Sequence, residues 1–310
     1  MEILLTILAP VFGVILCGFL ARRSGFLPPA GVDLLNRYVY YFALPPLLFT
    51  LTARAPARVF LNGAFIAAYL GGTLATLALA AAGGRWLFRL RRIDLKLHAL
   101  TAAFGNTAYM GIPLFLTAFG PEGALPAVVV TVAANICILS ALMIAIEAGL
   151  SSGFGAGSLF RSFVRSTATN PLLAASVLGV VCSAAALAVP GTVQSLLDLL
   201  AQPAAPAALF TLGMSLVGKP LRAQKGEVAW LVGVKLAAHP FLTWLIARRL
   251  PEMEPLWFQA AILLAAMPVG SLVFVVSRLY DVRSERASAA VVVSTLLSVG
   301  TLWVVWERLG

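Results

Sequence analysis

Charge is what this chain lacks. Of its 310 residues only 11% are Asp, Glu, Lys or Arg, against about a quarter in a soluble domain. A water-soluble globule, a disordered chain and a soluble enzyme are excluded together. Cysteine is scarce as well. Cys17, Cys137 and Cys182 each sit inside an apolar run without CxxC spacing, which excludes a disulfide scaffold and a thiolate metal site. They are expected to be small buried hydrophobes. There is no Gly-Lys-Ser/Thr phosphate loop, so the chain does not hydrolyse ATP itself. No Ser/His, His-rich or paired-carboxylate constellation is present, so an enzyme is not expected.

What is present is apolar length. Hydrophobic residues make up 61% of the chain, and its mean hydropathy is +0.96. A bilayer core takes about 20 apolar residues per helix. Ten such runs are found, at roughly 3–21, 32–52, 61–82, 98–119, 125–148, 170–188, 194–217, 227–250, 256–279 and 286–306. The first is a retained helix, because Glu2 precedes it and Arg22 and Arg23 follow it, the reverse of a signal peptide's charge order. The expected fold is an all-α polytopic membrane protein of ten transmembrane helices.

The net charge of +10 has a location. Connections after the odd-numbered runs hold fifteen Lys and Arg, and the other side holds five. That bias places the first set in the cytoplasm and both termini outside. The charge thus sets orientation, and nucleic acid is not an expected partner. The expected partners are membrane lipid and a small solute.

The chain also repeats. Pro45-x-x-Leu48-Phe49-Thr50-Leu51 returns as Pro206-x-x-Leu209-Phe210-Thr211-Leu212, an offset of 161. In the fourth run lies Phe104-Gly105-Asn106-Thr107, and in the ninth Met267-Pro268-Val269-Gly270, with Gly105 and Pro268 separated by 163. Residues 1–148 would form one repeat, 149–169 a Gly/Ser-rich cytoplasmic linker, and 170–310 the second repeat. A five-span unit must be inverted when repeated, because five crossings leave the chain on the opposite side. Inverted repeats with helices broken near the midplane mark secondary transporters. A break frees peptide groups where no water serves them, which costs several kcal/mol unless they line a cavity or bind something. Half-helix N-termini there suit an anion.

Asn106 is the first candidate for substrate binding, because an amide can bond both freed backbone and a carboxylate. Thr107 and Tyr109 follow it, and Gly105, Asn106 and Pro268 mark the breaks. Gly270 and Ser271 lie beside Pro268. Asn135 in the fifth run and Ser294 in the tenth complete the binding set. Lys235 and His239, one turn apart in the eighth run, are candidates for ion coupling or anion attraction. Lys235 could also reach the cytoplasmic surface along its stem. No carboxylate falls at mid-span. This argues against a proton antiporter with an aspartate pair, and it leaves H+ or Na+ open as a coupling ion. No cofactor or metal centre is expected.

Asn106-Thr107-Ala108-Tyr109-Met110-Gly111-Ile112-Pro113-Leu114 resembles the span 4 motif of the auxin efflux carrier family. Met267-Pro268-Val269-Gly270 through Tyr280-Asp281-Val282 resembles its span 9 motif, and Ala43 to Phe49 fits span 2. The resemblance covers essentially the whole chain and matches bacterial members best. It implies a fold related to bile acid–sodium symporters and sodium–proton antiporters. Spans 1, 2, 6 and 7 would be a scaffold, and spans 3–5 and 8–10 an elevator-like transport domain with spans 4 and 9 broken. It further implies a small carboxylate such as malonate as substrate, a bacterial inner-membrane location, and a homodimer, although no interface motif is visible. The alternative is a sodium- or proton-coupled carrier of the same fold with a non-carboxylate substrate. Two departures stand out. Gly105 replaces a proline, permitting the break without enforcing it. Val269 replaces a polar residue of the plant carriers, which removes one polar contact of their site.

Overall fold

A computed structural model describes residues 4–139, 141–142, 145–146, 170–218, 224–251, 253–280 and 282–309. The linker 149–169, with Arg161 and Arg165, and the cations Lys219 and Arg222 lie outside the described residues. So does Asp281 of the span 9 motif. Among the described residues the chain is almost entirely helical and has no strand. Five helices are long and apolar enough to cross a membrane, at Thr6–Arg23, Gly63–Trp86, Gly191–Ser215, Lys225–Ala247 and Ser284–Leu309. A sixth candidate is the pair Thr107–Gly123 and Leu125–Ile138, bent by 115°. The remaining described apolar runs are shorter or interrupted helices, and Gly105 and Pro268 stand just past the ends of two of them. The protein is a polytopic membrane protein.

The residues fall into two compact units. Unit 1 groups residues up to 62, 108–132 and the chain from 164 to 217; unit 2 groups 63–107, 133–163 and 218–310. The sequence reading assigned spans 4 and 5 whole to one domain. Here residues 108–132, from the second half of span 4 into span 5, group with the first, second, sixth and seventh runs.

In unit 1, helix α1 (Ala9–Arg23), α2 (Ala30–Tyr38) and α3 (Leu44–Arg54) come first. Helix α6 (Ile112–Gly123) and α7 (Leu125–Ala133) lie on the later piece, although α7's last residue groups with unit 2. Helices α8 (Pro171–Ala184), α9 (Gly191–Ala201) and α10 (Ala204–Ser215) close the unit. Asn170 caps α8, its Oδ1 accepting from Leu172 N at 3.0 Å and Leu173 N at 3.3 Å. Bilayer lipid is as apolar as leucine, so small residues that let backbones touch must hold such helices. A Cβ on Gly18 would overlap the backbone of Phe210, so α1 lies directly on α10. A Cβ on Gly179 would overlap Thr52 and the Phe49 carbonyl, so α8 lies on α3. Gly18 and Gly179 differ by 161, as do Phe49 and Phe210. The offset of the sequence motif is therefore also the offset of the contacts. Polar groups of α3 and α9 are matched: Arg54 pairs with Asp198 at 2.8 Å, and Gln194 donates to Asp198 Oδ1 at 3.0 Å.

Unit 2 contains α4 (Gly63–Trp86), α5 (Arg92–Ala103), α11 (Lys225–Gly233), α12 (His239–Ala247), α13 (Pro255–Ala265), α14 (Leu272–Leu279) and α15 (Ser284–Leu309). The π-helical turn Val234–Ala238 joins α11 to α12, and another, Ala134–Leu139, follows α7. Helix α4 has 24 residues, about 36 Å at 1.5 Å each, enough for a hydrocarbon core of about 30 Å. Gly72 and Gly83 are its contact points, since a Cβ would overlap Thr243 of α12 at the first and Trp230 of α11 at the second.

The cysteines depart from expectation. All three are free, but Cys17 and Cys137 are exposed and Cys182 is half-buried. In a membrane helix an apolar thiol costs nothing facing lipid, so the rule that cysteine is buried does not carry over.

Gly18→Val and Gly179→Val are each expected to lower the melting temperature of the purified protein, by a comparable amount. The clash is with main chain that cannot rotate away, and overpacking costs about 1–3 kcal/mol. Paired thermal-unfolding curves check this; a tolerant Gly18 beside an intolerant Gly179 would break the equivalence.

Candidate functional site

Two helix interruptions meet in unit 2. Helix α5 ends at Ala103, and α13 ends at Ala265. The residues that follow are extended and pair with each other, Gly105 opposite Val269 in an antiparallel bridge. Asn106 N donates to Pro268 O at 2.8 Å, and Gly270 N donates to Phe104 O at 2.9 Å. The breaks thus satisfy one another's freed peptide groups, each worth about 1–3 kcal/mol if left buried and unpaired. Glycine is required at 270, where a Cβ would stand 2.8 Å from the Phe104 ring and 3.0 Å from the Gly105 carbonyl oxygen. Ser294 of α15 braces the same strip: its Oγ accepts from Val269 N at 3.0 Å and donates to Val291 O at 3.1 Å. Its hydroxyl is therefore committed to the break, and Ser294 acts there as a positioning residue.

Asn106 is 4% exposed, and Thr107 is 3% exposed. Among the described residues the Asn106 Nδ2 has no hydrogen-bond partner. A buried amide donor left open is rare and calls for a reason. Asn135 is buried in the π-helical turn Ala134–Leu139 of the same unit. Tyr109 belongs to unit 1. Ser271 is partly exposed at the entry to α14.

Lys235 does not reach the surface. It is wholly buried, and its Nζ donates to Ala265 O at 2.6 Å, the last carbonyl of α13. The same nitrogen lies 2.9 Å from His239 Nδ1. His239 Nε2 lies 3.2 Å from Thr73 Oγ1, and Thr73 Oγ1 donates to Tyr69 O at 2.8 Å. Because the threonine hydrogen is already committed, Thr73 accepts from Nε2–H. That assigns the neutral Nε2 tautomer to His239, whose Nδ1 lone pair accepts from the lysine. The Tyr69 ring lies beside the imidazole with centroids 5.7 Å apart. A lysine, a histidine and a threonine from two helices are thereby tied to the end of the broken helix.

A second buried cluster escaped the sequence reading. Arg286 is 1% exposed, and its Nη1 bonds Glu227 Oε1 at 2.6 Å and Asp94 Oδ1 at 2.9 Å. Arg283 pairs with Asp94 at 2.9 Å and with Glu227 at 3.4 Å. His98 Nδ1 donates to Glu227 Oε1 at 2.7 Å. Arg286, one of the fifteen cations assigned above to the cytoplasmic connections, is thus a buried residue. The cluster joins the first turns of α5, α11 and α15, where carboxylates also face the positive ends of the helix dipoles. It holds Arg283 in the left-handed region at φ 40°, a strain of about 1–3 kcal/mol for a non-glycine residue. The signal was there: Asp94 and His98 share a helix face, and Glu227 and Arg286 open two other runs. Which ends would meet is set by the tertiary fold.

Glu227→Gln is expected to cost about 3–5 kcal/mol, because it strips a buried arginine of a partner. Asp94→Asn should cost less, since Asp94 is 22% exposed. Denaturant titration of both variants measures the order; equal losses would mean that Glu227 is not the centre of the cluster.

With this geometry in hand, relatives are informative. A family model described as membrane transport protein matches residues 3–152 and 157–306. A protein of Rhizobium meliloti named "Putative malonate transporter" is 35% identical over 298 residues, covering 94% of this chain and 92% of its own. An uncharacterized transporter of Methanothermobacter thermautotrophicus is 27% identical, and one of Methanocaldococcus jannaschii is 23% identical, each over 94% of both chains. These relatives are transporters and not enzymes. The chain belongs to the membrane transport protein family, that of the auxin efflux carriers.

Proposed function

We propose that this chain is a secondary carrier that moves a small organic anion, a carboxylate such as malonate, across the bacterial inner membrane. The observation that carries the reading is the open Nδ2 donor of Asn106, buried where two helices break. A carboxylate accepts from an amide, and a charge-assisted bond is roughly twice as strong as a neutral one. Thr107 adds a hydroxyl one residue on. Lys235 contributes positive potential at the same crossover, and Pro268, Gly270 and Ser294 hold its shape. The malonate name of one relative points to the same class of substrate.

The transport cycle is elevator-type alternating access. Both breaks, Lys235 and His239 belong to a single compact unit, so the site can travel as one body. An inverted pair of five-span repeats underlies it, an assignment supported by the shared offset of 161 in the Gly18–Phe210 and Gly179–Phe49 contacts. The fifteen-to-five distribution of cations supports outward termini.

Uptake of labelled malonate into proteoliposomes tests the reading, with lactate and an aromatic carboxylate as comparison. Asn106→Ala is expected to reduce flux at least tenfold, a loss of about 1.4 kcal/mol or more, while the protein keeps its melting temperature. Asn106→Asp should be worse, since it sets an anion against an anion. Sodium or proton exchange without any carboxylate flux would overturn the assignment.

A further inference from the structure

Lys235 is a buried cation with an unusual neighbour: it contacts the broken end of a helix. Its Nζ bonds the Ala265 carbonyl, the last of α13. Gly105, just past the end of α5, stands beside it, a Cβ there falling 3.4 Å from Nζ. Two helix C-termini therefore converge near one ammonium group. Each carries a partial negative charge, so together they offset part of the positive charge. His239, fixed as a neutral acceptor by Thr73, completes the coordination. The Tyr69 ring faces His239, whereas the carboxylates Asp94 and Glu227 are paired with Arg283, Arg286 and His98. In carriers with broken helices, such half-helix carbonyl ends are where Na+ is coordinated.

We propose that Lys235 is a tethered cation occupying the position a coupling metal ion would take, so that this carrier works without sodium or any other alkali ion. The proposal rests on the crossover being the transport site, and it settles one specificity of that site. Lysine is suited to the role. Its ammonium has three donors and no acceptor, which matches a carbonyl and an imidazole nitrogen. Its stem tethers the amine covalently, so the position is filled in every step of the cycle. Thr73 acts through His239 as a positioning residue, holding the tautomer whose lone pair faces Nζ.

Stability in detergent tests this separately from the substrate assignment. Melting temperatures are measured in sodium, lithium, ethylammonium and choline chloride at equal ionic strength. The wild type is expected to melt within about 1 °C in all four. Lys235→Ala should melt several degrees lower in choline and recover at least half of that loss in sodium or ethylammonium, which fit the vacated space. Lys235→Met, which refills the space with an apolar chain, should stay low in every salt. Thr73→Val should lie between wild type and Lys235→Ala. A wild type that gains stability in sodium would overturn the proposal. So would a Lys235→Ala protein that responds to no small cation. If Lys235→Ala does not fold, binding of radioactive sodium to the wild type decides: millimolar binding overturns the proposal, and its absence upholds it.

Discussion

Peptide groups cannot be left unpaired inside a membrane. Unit 2 contains two places where a helix stops in mid-course, each releasing several N–H and C=O groups. They are brought together and bonded, Asn106 N to Pro268 O and Gly270 N to Phe104 O. Other features of the unit follow from that pairing. Gly270 must lack a side chain because the opposing strip lies in contact with it. Ser294 must be a hydroxyl because Val269 N needs an acceptor. The last carbonyl of α13 has no strand partner, and it takes the ammonium of Lys235.

Unit 2 handles buried charge in two contrasting ways. At the first turns of α5, α11 and α15, two carboxylates face two arginines and an imidazole, a nearly neutral cluster in which each ion has an opposite neighbour. At the crossover, a single cation is partly offset by carbonyl dipoles. The first arrangement ties three helix ends together through paired opposite charges. The second leaves positive potential and an open amide, which is what a dissolved anion can use. Unit 1 uses neither device at its helix contacts. Gly18 and Gly179 simply remove the side chains that would keep two backbones apart, the usual source of cohesion where no hydrophobic drive exists between helices.

The broad outline was legible from residues. Apolar run length announced a membrane protein, and Gly105 and Pro268 marked the two interruptions because those residues act on the local chain. Asn106 was legible for the same reason, being the polar residue beside a break. Lys235 was visible as an ionisable group in an apolar run, yet its direction was not: the stem could run outward or inward, and the Ala265 carbonyl that holds it lies 30 residues away. The Glu227 cluster was hidden because its members sit at run ends, where charge is ordinary, and separations of up to 192 residues divide them. The cysteines were misplaced by a rule learned from water. Exposure in a bilayer means exposure to hydrocarbon, so an apolar residue gains little by turning inward.

The same reasoning bears on what the crossover selects. Its charged group is a donor without acceptor capacity, its histidine lone pair is already taken, and its hydroxyl at Ser294 is spent on backbone. What remains to offer a solute is N–H, from Asn106 and from the potential of Lys235. A cation would meet the like charge of Lys235 there. On the proposed reading, a carboxylate would find a donor and an opposite charge, and would regain much of what it loses on leaving water. Val269 is fully buried against this strip, so a polar contact on that side is replaced by apolar surface. On the proposed reading the site would depend on a few strong bonds at the carboxylate end of the solute. A small acid, most of whose surface is carboxylate, suits such a site better than a large one whose binding would need polar contacts elsewhere.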